Sequence, residues 1–193
     1  FVVFSVNQKS SSMSPDIPEN SLVMVSPLIK RPARGSVVYI KSQDDTEYSL
    51  FKKFLDVNVR FFTAQRISLI EKNEFPSSKN KIRRLVGMPG DTIYMRDNVL
   101  YVKPKDERHF LTEFELSSKA YNVNFLSSPS QWDNSLGIKS SFDEIVLNDD
   151  EYFVLGDNRK SCEDSRFWGV LKSDMIKGKV LFCYFPFNNF KFY

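Results

Sequence analysis

The sequence predicts a mainly β protein, an antiparallel sheet or barrel-like body, and three observations carry that prediction. Apolar residues come in short runs rich in β-branched and aromatic side chains, each bounded by turn residues, which is the pattern of strands rather than helices. There are 18 Phe against only 7 Gly, and aromatic side chains favour strands and membrane interfaces. Finally, "TIYM" and "VLYV" (92–102) are joined by "RDN", a loop of the length that closes a β-hairpin.

Taken in order, "FVVFSV" (1–6) reads either as a buried first strand or as the stub left where a membrane anchor was removed. "SLVMVSP" (21–27), "SVVYIK" (36–41), "NVRFFTAQRISLIE" (58–71) and "RRLVGM" (83–88) follow as strands, then the hairpin, "EYFVLG" (151–156) and "KVLFCYF" (179–185). The one helical signal is "SDMIKGK" (173–179), with Ser173 as the cap of a single turn and Gly178 as its stop. Between 103 and 150 the composition shifts toward Ser, Asn, Lys and Asp, which predicts an inserted lobe or long loop. The catalytic or binding core is then expected from 1–102 and 151–193, within a chain whose 193 residues suit one sizeable core.

Composition excludes several functions. A net charge of +3, with both signs interspersed, is too mild for a nucleic-acid footprint. The two cysteines, Cys162 and Cys183, form no C-x-x-C pair, and His109 is the single histidine, so neither a metal site nor a cofactor is expected. His109 lies among charged residues and reads as structural or solvated; a Ser-His protease would need it beside a serine. No run of about 18 apolar residues is present to span a bilayer.

Three stretches have the composition of a site. "SSSMSP" (10–15) offers hydroxyls, which become nucleophiles only beside an activating base. "RRLVGMPGD" (83–91) reads as a strand and a tight turn, with Pro89 presetting φ and Gly90 supplying φ > 0. "GDNRKSCEDSRFWG" (156–169) alternates Asp157, Arg159, Asp164 and Arg166, a density of fixed charge suited to a hydrogen-bonded scaffold. In this order the three resemble the nucleophile box, lysine box and signature of the type I signal peptidases, membrane-bound serine endopeptidases that use a Ser/Lys dyad.

The resemblance implies roles. Ser12 falls on the nucleophile, and its backbone N–H together with the Ser10 hydroxyl on the oxyanion hole. Asp164 and Arg166 fall on the pair that braces the site, with Asp157 in the same scaffold. The substrates implied are secretory precursors cut after small residues, of Ala-x-Ala type, bound as an added strand beside Ser12 and position 83. An N-terminal anchor missing from this chain is also implied, with the body on the outer face of the cytoplasmic membrane. The aromatic residues Phe185, Phe187, Phe190 and Phe192 near the C-terminus read either as rings resting on lipid or as plain core packing. No cofactor is implied.

Two positions depart from the family. The dyad lysine stands four residues before the glycine of the G-x-P-G-D turn, and here that residue is Arg83. A base must be neutral to accept the serine proton, and neutralising an arginine at pH 7 costs about 7 kcal/mol or more, at about 1.36 kcal/mol per pKa unit. Where the resemblance places the lysine-orienting serine, the chain has Cys162, a weaker hydrogen-bond partner. Lys81 lies on the same strand face as Arg83, about 6.6 Å along the backbone at ~3.3 Å per residue, and is the substitute base. The expected activity is therefore a signal-peptidase-type serine endopeptidase working through Ser12 with Lys81 or another base that the sequence does not reveal. The alternative is a non-catalytic paralogue that binds precursors or a partner peptidase.

Overall fold

The structure, a computed structural model, describes residues 2–29, 31–41, 81–125 and 140–193. It is mainly β. β1 (Phe4–Gln8) runs into a 3-10 turn (Ser11–Met13) and returns as β2 (Ser21–Ser26), paired antiparallel from Phe4↔Val25 to Gln8↔Ser21. β3 (Val37–Ile40) and β4 (Lys81–Gly87) come next, then the hairpin of β5 (Thr92–Arg96) and β6 (Val99–Lys103). Asp97 and Asn98 at its tip have φ of 48° and 65°, the left-handed pair that matches strand twist in a two-residue loop. β7 (Leu111–Thr112), β8 (Phe142–Val146), β9 (Glu151–Leu155), a single helical turn α1 (Ser165–Trp168), β10 (Leu171–Lys172), β11 (Ile176–Phe185) and β12 (Lys191–Phe192), with 3-10 turns at Ser173–Met175 and Phe187–Asn189, complete the described elements. The strand expected at 58–71 lies outside the described residues.

The strands make two sheets. The larger has the order β1-β2-β11-β3-β4-β9-β10 with β12 on β11, and the smaller the order β7-β6-β5-β8. β11 pairs with both β2 and β3, and its register shifts at Ile176/Gly178, Val180/Phe182 and Cys183/Phe185. Such bulges bend and twist a strand, which curls the sheet around its core. The helical signal at 173–179 is a correction: only Ser173–Met175 form a 3-10 turn, and Gly178 lies inside β11. A Cβ on Gly178 would sit 2.4 Å from the Ser26 carbonyl oxygen, so glycine there marks close strand approach rather than a helix stop.

Two features of the fold position the site. Met13 and Ile17, on either side of the turn after Ser12, are fully buried with Val23, Val37, Ile82 and Val180. Each such side chain contributes roughly 1.5–3 kcal/mol on burial, enough to pin the loop that carries Ser12. β4 in turn pairs with β3 through Lys81–Arg84 and with β9 from Arg84 onward, so Arg83 is held in a central strand. The turn after β4 is closed by Asp91, whose carboxylate accepts from Met88 N at 2.6 Å and from both Nη atoms of Arg34. Among the described residues no helix is long and apolar enough to cross a membrane.

Candidate active site

Ser12 sits in the 3-10 turn at the end of β1, 5% exposed, with Ser10 exposed just before it. Its Oγ accepts from Gln8 Nε2 at 3.0 Å and from Arg83 Nη1 at 2.9 Å, and lies 3.1 Å from Ser10 Oγ. A hydroxyl has two lone pairs and one proton. With both lone pairs taken by N–H donors, the Ser12 proton is left to point at Ser10 Oγ. The structure thus brings Ser10, Ser12 and Arg83 together, 71 positions apart in sequence for the last pair.

Arg83 is 3% exposed. Besides Ser12, its Nη1 donates to Ile82 O at 2.6 Å, while Nε and Nη2 both donate to Glu163 O, at 2.8 and 2.6 Å. Every acceptor it meets among the described residues is neutral. Lys81 does share its face: the rings of Trp168 lie under Lys81 Nζ at 4.6 Å and Arg83 Cζ at 5.9 Å. The Lys81 ammonium, however, is engaged by Glu163 Oε2 at 2.6 Å. A neutral amine there would forfeit that pair.

The signature stretch builds the scaffold around the Ser12 backbone. Asn158 N donates to Ser12 O at 3.0 Å, and its side-chain amide donates to Ser11 O at 3.2 Å. A Cβ on Gly156 would lie 2.7 Å from Ser12 O and 2.0 Å from Cys162 Sγ, so only glycine lets the three approach. Asp164 caps α1 through Arg166 N, accepts twice more from the Arg166 guanidinium and takes Gly156 N at 3.0 Å. Arg166 reaches Asn98 Oδ1 and Arg159 O, and Arg159 forms a doubly bonded, fully buried pair with Glu113. Asp157 instead receives both Nε and Nη2 of Arg84, which also reaches Asp16.

Cys162 is buried beside this loop, its thiol 3.6 Å from Glu163 O. Burial, partly offset by the nearby Arg83 charge, pushes its pKa up to about 12. It is a neutral, weakly donating thiol at any ordinary pH. His109 lies exposed on the loop between β6 and β7.

Several members of the site were not legible in the motifs. Gln8 lies four residues before Ser12, where alternation along an extended strand ending in a turn brings its amide back to the hydroxyl. Glu163 works through its backbone carbonyl toward Arg83 and its carboxylate toward Lys81, two roles no residue pattern separates. Asp16 and Arg84 meet across 68 positions.

The chain is similar to several known proteins. Signal peptidase I P of Bacillus subtilis subsp. natto is 29% identical over 158 residues, covering 80% of this chain and 78% of that protein. Signal peptidase IB of Staphylococcus aureus strain MRSA252 is 31% identical over 127 residues, 61% of each. A crystal structure of a signal peptidase I from Enterococcus faecalis V583 aligns over 77% of this chain and 96% of that one, at 20% identity and a TM-score of 0.38. The model of "Signal peptidase, peptidase S26" matches residues 1–185, a span that holds Ser12, Arg83 and the whole signature stretch. The chain therefore belongs to the signal peptidase family, peptidase S26.

Proposed function

We propose that this chain recognises secretory precursors, as signal peptide removal by its family suggests, but binds them at the Ser12–Arg83 centre without hydrolysing them. The observation that carries this reading is the Arg83 Nη1 to Ser12 Oγ hydrogen bond of 2.9 Å. It occupies the place from which a neutral amine would accept the serine proton, and a guanidinium offers only donors. With Gln8 holding the other lone pair, Ser12 has neither a base nor a free electron pair for attack.

The peptide would lie as an added strand. Among the described strands, β1 has a partner on its β2 side alone and β4 pairs with β9 only from Arg84 onward, so Lys81–Arg83 have no described strand on that side. Backbone bonding to those edges gives affinity, and small side chains near Ser12 would set the Ala-x-Ala preference. The body would work on the outer face of the cytoplasmic membrane, where the exposed rings of Phe187, Phe190 and Phe192, with Phe185 beside them, could rest on lipid.

A second reading, an active endopeptidase cutting after small residues, is favoured by the intact seat of the nucleophile: Asn158 still clamps Ser12 O, and Ser10 Oγ is still 3.1 Å from Ser12 Oγ. It needs a base other than Arg83.

One assay separates them: cleavage of a fluorogenic precursor peptide with Ala at −3 and −1, in detergent, by this chain, Ser12→Ala and Arg83→Lys. We expect no turnover from the first two and turnover from the third. Turnover by the unaltered chain that disappears in Ser12→Ala would sink the binding reading.

A further inference from the structure

The four buried arginines among the described residues differ in one respect. Arg84 is paired with Asp16 and Asp157, Arg159 with Glu113, and Arg166 with Asp164, each within 3.0 Å. Arg83, just as buried at 3% exposure, meets two backbone carbonyls and a hydroxyl. A buried cation without a counter-ion carries an unrelieved desolvation cost, and a bound anion is what relieves it.

The two acids of the loop that meets Arg83, Glu163 and Asp164, are committed elsewhere. The Glu163 carboxylate is turned to Lys81, while only its carbonyl faces Arg83. The Asp164 carboxylate is filled by Arg166 and Gly156 N. Of the five guanidinium N–H groups on Arg83, four have acceptors, and one on Nη2 is left over among the described residues. Toward the surface, the exposed Ser10 carries a further hydroxyl against Ser12.

We propose that this centre is a receptor for the free carboxylate at the C-terminus of a peptide, the end a signal peptide acquires after another peptidase has cut it. The proposal rests on the peptide-binding reading above and names its ligand. A peptide laid along β1 and the Lys81–Arg83 stretch of β4 brings its carbonyl carbon to Ser12. If the chain continues, that position holds a neutral amide, which gives Arg83 no counter-charge. If the chain ends there, two carboxylate oxygens meet the spare Nη2 hydrogen and the Ser10 hydroxyl, forming charge-assisted hydrogen bonds about twice as strong as neutral ones. Where the family's lysine must be neutral to act, an arginine is always charged, so the exchange converts a cutting site into one that selects the product end.

The test uses one labelled peptide ending in Ala-x-Ala, prepared as the free acid, as the C-terminal amide, and extended past the last Ala. Binding to the unaltered chain, to Ser12→Ala and to Arg83→Gln is followed by fluorescence anisotropy. The acid should bind at least about tenfold tighter than the amide to the first two, with the ratio falling to about one in Arg83→Gln. Equal binding of acid and amide by the unaltered chain overturns the carboxylate proposal and leaves the peptide-binding reading standing. Binding of no form overturns both. Because the acid-to-amide ratio is read on the unaltered chain, a poorly folded Arg83→Gln does not remove the decision.

Discussion

Arg83 and Arg84 are neighbours on one strand, equally buried at 3% exposure, and they face opposite sides of β4. On one side Arg84 meets two carboxylates, Asp157 through both Nε and Nη2 and Asp16 at 2.8 Å, with the Gly35 carbonyl accepting from Nη1 and the Tyr121 ring 4.0 Å from Cζ. Lys191 closes on the other oxygen of Asp16, and Tyr193 Oη donates to its carbonyl, so the C-terminal strand is tied into the same cluster. On the other side, among the described residues, Arg83 meets only backbone carbonyls and the Ser12 hydroxyl. The scaffold satisfies its charge internally, whereas Arg83 has no carboxylate partner among the described residues. Location in a protein interior does not by itself decide whether an ion serves stability or function; the partners decide it.

That contrast breaks if the two arginines are equally structural. Arg84→Met would strip Asp157 of its hydrogen-bonded cation and leave Asp16 with Lys191 alone; burial already pushes the Asp157 carboxyl above the usual carboxylate range, with Arg84 working against it. The expected loss is about 3–5 kcal/mol, the cost of removing one partner from a buried ion pair. Arg83→Met leaves no carboxylate behind, only carbonyls and a hydroxyl, and should cost about 2 kcal/mol or less. Urea unfolding midpoints of the two variants give the comparison directly. Equal losses would mean that Arg83 is as integral to the scaffold as Arg84.

How much of this was legible depends on the range of the interaction. The mainly β body was legible because strand runs and hairpin chemistry are local: "TIYM-RDN-VLYV" contains its own left-handed turn pair. The meeting of Ser12 and Arg83 was reachable through the family resemblance of the two stretches that hold them, while their spacing alone read as a polar loop and a strand with a tight turn. The pairing of charges was not. Glu113 reaches Arg159 across 46 positions and Arg84 reaches Asp157 across 73, and a sequence does not say which acid a given arginine will find. The helical turn was placed at 173–179 because Ser and Gly look like cap and stop, yet Gly178 is small to admit Ser26, a contact from a strand far away in the chain. The α-helical turn, α1, lies instead at Ser165–Trp168 and is set by Asp164 accepting from Arg166 N, a capping signal hidden inside the charged signature.

A smaller effect sharpens the boundary between scaffold and site. Gly156 links them, since its amide is bound by Asp164 while its α-carbon faces Ser12 O and Cys162. Gly156→Ala places a methyl group 2.0 Å from Cys162 Sγ, so the thiol or the Ser12 loop must move. Overpacking of this kind costs about 1–3 kcal/mol. In the Arg83→Lys background the same change should remove the restored turnover, because a displacement of the nucleophile is felt in rate well before it unfolds the chain. Retained turnover at full stability would mean that the Ser12 loop is not seated by the signature stretch.

The smallest effect concerns Cys162, on the site side of the loop. Its thiol is a weak donor raised to about 12, so less than about one part in ten thousand is thiolate at neutral pH and iodoacetamide should label it only as the chain unfolds. Where the family resemblance calls for a hydroxyl to orient a lysine, the thiol has no such work beside an arginine already fixed by Glu163 O and Ile82 O. Cys162→Ser alone should therefore leave turnover absent. In the Arg83→Lys chain, where an amine needs orienting, the same change should raise turnover about tenfold or less, the scale of a single improved hydrogen bond. A double-mutant cycle over positions 83 and 162 isolates that coupling. Additive effects would show that the two departures from the family pattern are independent; a gain confined to the double variant would show that cysteine is tolerated because arginine stands at 83.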